Sequence, residues 1–408
     1  MSIDKETHMT IQTTPRNFGT SARLQPFGES VFATISRLAA QHGAVNLGQG
    51  FPNFDGPPFV KDAGMRAIKD GFGQYARTFG VPELNAAVAA RFRATSGIEV
   101  APDAEVTVTS GCTEAIAAVM LGLINPGDEV VLVEPFYDSY AACVAMAGGT
   151  VRAIRLRAPE FAFPIDELRR VVGPQTKAIL INSPHNPLGR VLTRSELEGI
   201  AAVARAADCL VFSDEVYEEI WFGEPPVSIS TLPGMRERTV VMSSLGKTFS
   251  LTGWKIGWTI APPNLTAGIR AAHQFLTFCS ATPLQRAAVD ALQAPRSYYE
   301  ALRADYLMRR DAMLTVLRGA GFDPYVPDGS YFVVAEHERF GFPNDFAFAL
   351  HLVEKVGVAC IPCSAFYAPQ ADGTKDADAC RLVRFAFCKT DETIRDAGIR
   401  LRSLSARS

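Results

Sequence analysis

An α/β fold with a mostly parallel sheet, joined to a smaller α+β domain, is what this sequence predicts, and three observations carry the prediction. Short apolar runs alternate with longer segments of helical period across the middle of the chain. A long helical pattern then runs without interruption from about Pro283 to Leu317. Beyond it, strand-like and helix-like segments are mixed without that alternation.

Taken in order, the first two dozen residues are polar and aperiodic, an arm rather than a packed element. From Ser30, the residues Val31, Ile35, Leu38 and Ala39 fall on one face of a helix. Six strands follow: VTVT near Val106, VVLVEP at Val130, AILIN at Ala178, LVFSDE at Leu210, TVVMSSL at Thr239 and GWTIAP at Gly257. In the long helical passage, Leu284, Ala288, Leu292, Leu302, Tyr306 and Met313 form the apolar stripe that would link two domains. The segments FDPYVPDGSYFVVAE, FAFALHLVEKVGVACIPCSAF and RLVRFAFC then supply the strands and helix of the smaller domain.

Composition narrows the function. With 408 residues, 48% of them apolar and 20% charged, the chain can bury a large core and is not a disordered protein. Lys plus Arg number 40 against 43 Asp plus Glu, so the net charge of -3 lacks the basic excess of a nucleic-acid binder. No apolar run approaches the roughly 20 residues that span a bilayer, and MSIDKETHMT lacks the apolar core of a signal peptide. A cytoplasmic protein with neither nucleic-acid nor membrane partners is expected. Of eight cysteines, Cys360 and Cys363 form a C-x-x-C inside an apolar stretch with no second pair to match, which reads as reduced core thiols and no metal site.

The chemistry concentrates at strand ends. Lys247, in VMSSLGKTFSLTGWKIGWTI, sits just past an apolar strand, with Lys255 eight residues on. Alone it would read as a surface lysine whose stem packs on apolar neighbours. A desolvated lysine, however, can act as an amine nucleophile toward a carbonyl or an aldehyde cofactor. Asp214 closes the strand in FSDEVYEEI, with Tyr217 three residues later. A carboxylate there could keep a ring nitrogen protonated, since opposite charges about 4 Å apart are worth roughly 4 kcal/mol at an effective dielectric near 20. Asn186 follows the strand in AILINSPHNPLGR and could reach a phenolate oxygen. In TVTSGCTEAIAAVMLGLI a strand turns into a helix whose first N–H groups, at Gly111, Cys112 and Thr113, offer a phosphate seat. Each feature has an ordinary structural reading as a cap or strand end. Together they supply what pyridoxal 5'-phosphate requires.

The segments NLGQGFPNFDGPP, QYARTFGVPEL, EPFYDSY, SPHNPLG, SDEVY, SLGKTFSLTGWKIGW, PDGSYF and RLVRFAF resemble fold-type I, class I aminotransferases, in the group of kynurenine aminotransferase, glutamine transaminase K and bacterial methionine aminotransferase. The likeness runs in order from about Phe27 to Ser403. It implies that Lys247 forms the Schiff base with the cofactor, that Asp214 faces its ring nitrogen, and that Asn186 and Tyr217 bind its ring oxygen. Tyr137 would stack on the ring. Gly111, Cys112, Thr113, Ser244 and Lys255 would hold the phosphate, and Tyr75 would reach the phosphate of a neighbouring subunit, which implies a homodimer. Arg384 would clamp the substrate carboxylate with a planar fork that lysine lacks, with Gly50 approaching the same group. The neighbouring Arg381 reads as a solvated strand residue. The domains expected are an arm (1–26), the first part of the small domain (27–58), a large cofactor domain (59–295) and the remainder of the small domain (296–408).

One departure bears on substrate. Cys279 follows Phe278 in HQFLTFCSATP, where kynurenine-type members carry histidine and methionine-type members a small residue. Phe32, Phe278, Tyr331 and Phe332 would line an apolar pocket with no second arginine, which disfavours aspartate. The expected activity is transamination between an L-amino acid with an apolar, sulfur-containing, aromatic or glutamine side chain and a 2-oxo acid. The same scaffold also admits a lyase or an oxidase. A transcription regulator on this fold would need a DNA-binding domain, for which a leader of about 27 residues leaves no room.

Overall fold

The computed structural model describes residues 19–368 and 377–405, so most of the expected arm lies outside the described residues. Its centre is a seven-stranded sheet in the order Val106–Thr109, Gly257–Ile260, Thr239–Ser244, Leu210–Asp214, Thr176–Asn182, Glu129–Glu134, Thr150–Arg155. Only Gly257–Ile260 runs antiparallel to its neighbours within this sheet. All six expected strands are present. The seventh, Thr150–Arg155, lies at the sheet edge and is largely exposed, so it lacks the continuous apolar run of a buried strand.

Register places the chemistry. Asn182 pairs with Asp214, Asp214 with Met242, Ser244 with Gly257 and Gly257 with Thr109. The ends of five strands therefore align along one margin of the sheet, the position at which open α/β sheets bind ligands. Helix Gly111–Leu123 leaves from that margin and packs on helix Pro263–Leu276. Their axes meet at Gly122 and Gly268, where a Cβ on Gly268 would stand 2.6 Å from the carbonyl oxygen of Gly122. Glycine is required on both sides of this crossing.

The smaller sheet has three antiparallel strands, with Leu382–Ala386 between Ile361–Pro362 and Phe332–Glu336. Beside it, Val45–Asn46 pairs in parallel with Val358–Ala359. One apolar cluster runs from Ile35 and Leu47 through Val131 and Ile181 to Tyr331, Val333 and Phe385, so both sheets share it. Each aliphatic or aromatic side chain fully buried there contributes about 1.5–3 kcal/mol.

Two expectations are corrected. The helical passage after Pro283 is two helices, Thr282–Leu292 and Arg296–Gly319. Pro295 lacks an N–H and disfavours helical backbone at Ala294, which breaks the run. Arg381 is half-exposed as expected, but it ends a short helical turn, Asp378–Arg381, instead of lying in the strand, and it pairs with Glu336 and Glu338 at 3.4 and 3.1 Å.

Candidate active site

A cavity of about 420 Å³ opens at the aligned strand ends. Its lining includes Lys247, Asp214, Asn186, Tyr217, Tyr137, Ser244, Lys255, Gly111, Cys112, Thr113, Gly50, Phe32 and Arg384. Residues separated by more than 350 positions, Phe32 and Arg384 among them, thus face one space.

At one end, the strand Val106–Thr109 turns at Gly111, whose φ of +73° is a left-handed conformation that favours glycine. Lys255 is also left-handed, at φ +52°, and this unusual backbone brings its Nζ 3.2 Å from Thr113 Oγ1. A Cβ on Gly257 would stand 2.7 Å from the Cys112 nitrogen, so glycine there lets the strand lie against the helix start. The result is a cradle of helix-start N–H groups, hydroxyls and an ammonium. Such a donor set suits a phosphate dianion.

Deeper in, Asp214 is buried and its carboxyl is pushed up by burial, against the bonds and charge that oppose it. Those are Tyr140 Oη donating to Oδ2 at 2.6 Å, the Val216 N–H donating to Oδ1 at 3.2 Å, and the charge of Lys247. Cys112 Sγ lies 3.8 Å from Oδ1. A buried carboxylate so placed has room for a cationic partner in the cavity. Lys247 follows the strand Thr239–Ser244, and burial lowers its ammonium to about 8. Its Nζ approaches the Gly50 carbonyl at 3.4 Å and stands 5.5 Å from the Tyr217 and Tyr331 ring centres. At neutral pH a fraction of this amine is therefore the free nucleophile.

The opposite wall is built around Arg384, in the central strand of the smaller sheet and only 1% exposed. Nη1 donates to Asn186 Oδ1 at 2.7 Å and Nη2 to the Gly48 carbonyl at 2.8 Å. Nε has no hydrogen-bond partner among the described residues. Phe332 lies under the guanidinium at 4.0 Å. Because Asn186 Oδ1 is engaged, its amide NH₂ is left as a donor, an assignment made from the network. Tyr217 is buried against Tyr331 at a ring separation of 5.1 Å, and burial keeps its hydroxyl protonated.

Three expected residues do not line the cavity. Tyr331 is fully buried behind it and donates to the Gly50 carbonyl at 2.6 Å. Phe278 is 44% exposed and packs edge-on against Tyr75, which is 82% exposed. Neither lines the cavity of its own protomer. Cys360 and Cys363 are buried free thiols, pushed up by burial.

Several residues that sequence reasoning missed support the site. Tyr140 grips Asp214, while Asn182 donates to the Asp214 carbonyl at 2.9 Å and accepts from the Asn186 N–H at 2.8 Å. Lys389, nearly buried, donates to the carbonyls of Gln49 and Phe51 at 3.0 and 2.9 Å. Together with Arg384 and Tyr331 it holds every carbonyl from Gly48 to Phe51. The lysine after RLVRFAFC was the one signal available for it.

The family model described as aminotransferase class I and II matches residues 43–397. The structure is similar to that of N-succinyldiaminopimelate aminotransferase from Mycobacterium tuberculosis, with a TM-score of 0.91, 45% identity, and coverage of 95% of this chain and 100% of that one. The sequence is 37% identical to a kynurenine–oxoglutarate transaminase of Dictyostelium discoideum, covering 93% of this chain and 95% of the relative. It is 36% identical to the methionine aminotransferase of Escherichia coli, covering 94% and 98%.

Proposed function

This chain belongs to the class I and II aminotransferases, and from that premise we propose which of its residues do the work and which substrates they select. It is a fold-type I, pyridoxal-phosphate-dependent enzyme that moves an amino group between an amino acid and a 2-oxo acid. The relatives above are named as aminotransferases, not as the lyases or oxidases that the scaffold also admits.

The residues fit the cofactor on four counts. The cradle at Gly111–Thr113 with Ser244 and Lys255 has the donors a phosphate needs. Asp214 is a buried carboxylate facing a cavity. Asn186 and Tyr217 offer donors for a ring oxygen, and Tyr137 stands on the wall where it would stack. Pyridoxal 5'-phosphate, once bound, supplies an electron sink that lets a substrate C–H bond break heterolytically. Lys247 holds the cofactor through Nζ and, when released, carries the α-proton on the same atom. Asp214 keeps the ring nitrogen protonated. Arg384 binds the α-carboxylate through its planar guanidinium.

The observation that carries this reading is the convergence of Lys247, Asp214, Asn186 and Arg384 on one cavity from four separate segments. Arg384 is the only arginine among the described lining residues, and Phe32, Phe51, Ile116 and Phe332 make much of the wall apolar. Amino donors with apolar, sulfur-containing, aromatic or glutamine side chains suit that wall better than aspartate does. A second reading, N-succinyldiaminopimelate as substrate, is favoured by the 45% identity to the Mycobacterium enzyme. A donor and acceptor screen with purified holoenzyme separates them: methionine, aromatic amino acids and glutamine should turn over well and aspartate poorly. Turnover confined to the succinylated substrate would establish the second reading.

We also read the active unit as a cytoplasmic homodimer with shared sites. Supporting it, Tyr75, 82% exposed, and Phe278, 44% exposed, meet edge-on at the surface, an aromatic pair that a second copy would cover. Among the described residues, no helix is long and apolar enough to cross a membrane.

A further inference from the structure

His273 is fully buried, yet both ring nitrogens face acceptors. Nε2 lies 2.7 Å from the Thr78 carbonyl oxygen, and Nδ1 lies 2.8 Å from Glu114 Oε1. A carbonyl only accepts, so Nε2 carries a proton. The second bond then needs a proton between the imidazole and the carboxylate, which an imidazolium beside a carboxylate supplies. Glu114 is in the first turn of helix Gly111–Leu123, where its Oε2 accepts the Ser110 N–H at 2.7 Å. That turn is the cradle read above as the phosphate seat.

The arrangement contains a conflict. A carboxylate at a helix start is favourable on its own, but it opposes a phosphate dianion held on the next N–H groups. We propose that His273 is a positioning residue that, as an imidazolium, neutralises Glu114 and so allows one helix turn to carry both a capping carboxylate and the cofactor phosphate. The inference rests on the phosphate reading of Gly111–Thr113. Burial disfavours the charged ring, but the hydrogen bond and charge of Glu114 outweigh it and raise His273 above the ordinary histidine value.

The surrounding charges are otherwise committed. On the same helix, Arg270 donates to Thr107 Oγ1 and to the carbonyls of Asp103 and Val106. From the loop before Gly80, Arg77 pairs with Asp103, and on helix Pro102–Glu105 the remaining acid, Glu105, pairs with Arg236. Among the described residues, no titratable side chain other than Glu114 hydrogen-bonds to the ring. When His273 loses its proton, Nε2–H can still serve Thr78, so the bare Nδ1 lone pair is turned toward Glu114. The carboxylate is then uncompensated, and hold on the phosphate weakens.

The test is the rate of cofactor loss from holoenzyme, followed by near-visible absorbance with a scavenger for the released aldehyde, between about pH 7 and about pH 10. Wild-type release should accelerate about tenfold over that range beyond any change seen in Glu114→Gln, which lacks the charge to be compensated. His273→Gln should release about tenfold faster than wild type at pH 7, and the double variant with Glu114→Gln should return to within about twofold of wild type. That rescue is not expected if His273 merely fills space. A double variant no better than His273→Gln, or a Glu114→Gln curve that follows wild type at every pH, overturns the proposal. The wild-type and Glu114→Gln curves decide the matter even if His273→Gln fails to fold. Lys255→Ala separates the two levels of inference. If it retains cofactor like wild type, the phosphate reading itself fails; if it loses cofactor quickly while the His273 and Glu114 variants show no coupling, only the role of His273 fails.

Discussion

The Tyr140 hydroxyl stands 2.6 Å from Asp214 Oδ2 and both residues are buried, so the carboxylate proposed to face the cofactor is itself held by a second side chain of the cavity wall. A hydrogen bond to a charged group is worth about 1.5–3 kcal/mol. Removing it leaves burial less opposed and raises the carboxyl further. Tyr140→Phe should therefore lower kcat roughly tenfold or more at neutral pH, with the acid limb of the pH profile displaced upward. Superimposable profiles for variant and wild type would show that Tyr140 does not tune Asp214.

In the proposed site, Arg384 holds the group that every substrate shares. Arg384→Lys keeps the charge but loses the fork that spans Asn186 and Gly48. Loss of about 1.5–3 kcal/mol of charge-assisted bonding corresponds to roughly a tenfold to hundredfold rise in KM for all amino acids and oxo acids alike. An effect confined to one donor would move Arg384 into the specificity wall.

Burial lowers the Lys247 ammonium to about 8 in the folded protein, against an ordinary lysine value of 10.5. The folded state thus binds the proton less tightly than the unfolded state does. This cost is fully present below about pH 8 and disappears as pH rises toward 10.5. In cofactor-free protein, Lys247→Met should raise Tm at pH 7, with the gain shrinking above about pH 8. The same variant, incubated with cofactor, should retain no protein-bound adduct after borohydride reduction and should have no transaminase activity. A retained adduct would assign the cofactor to another lysine.

Tyr75 is exposed on a single protomer, and the shared-site reading gives its hydroxyl to the partner's phosphate. Tyr75→Phe should loosen the cofactor without abolishing chemistry. Mixed dimers of Tyr75→Ala with Lys247→Ala should regain activity, because some sites then combine both intact residues. Demonstrated subunit exchange without recovery would make Tyr75 a packing residue of its own chain.

The sequence made the strand ends legible because parallel strands buried on both faces are written as unbroken apolar runs, and a polar residue at the end of such a run stands out. Asp214 and Lys247 announce themselves in that way and Asn186 as a polar residue just beyond a run, whereas Arg384, in the middle of strand Leu382–Ala386, was legible only through the resemblance of RLVRFAF. Tyr140 did not, since on helix Ser139–Ala147 it reads as one more core aromatic and its partner lies 74 residues away. Asn182 also ends its strand but was passed over for Asn186 four residues on, and Lys389 was passed over as a charge that follows a strand. Strand Thr150–Arg155 escaped because an exposed edge does not require apolar residues. His273 could not be read at all without the fold, for its meaning comes from Thr78 and Glu114, which it touches from opposite sides.

The parallel pairing of Val45–Asn46 with Val358–Ala359, followed by the grip of Arg384 and Lys389 on the carbonyls of Gly48, Gln49 and Phe51, has a consequence for biosynthesis. A growing chain displays residues 45–51 early, but their binding partners leave the ribosome only after more than 300 further residues. The proposed cofactor seat between Gly111 and Lys255 has left the ribosome much sooner. Such distant pairings form late because the loop must close first. On the proposed reading, a nascent chain can therefore assemble the phosphate end of its site well before it can recognise a carboxylate, and a chain cut short before Arg384 lacks the one arginine among the described lining residues.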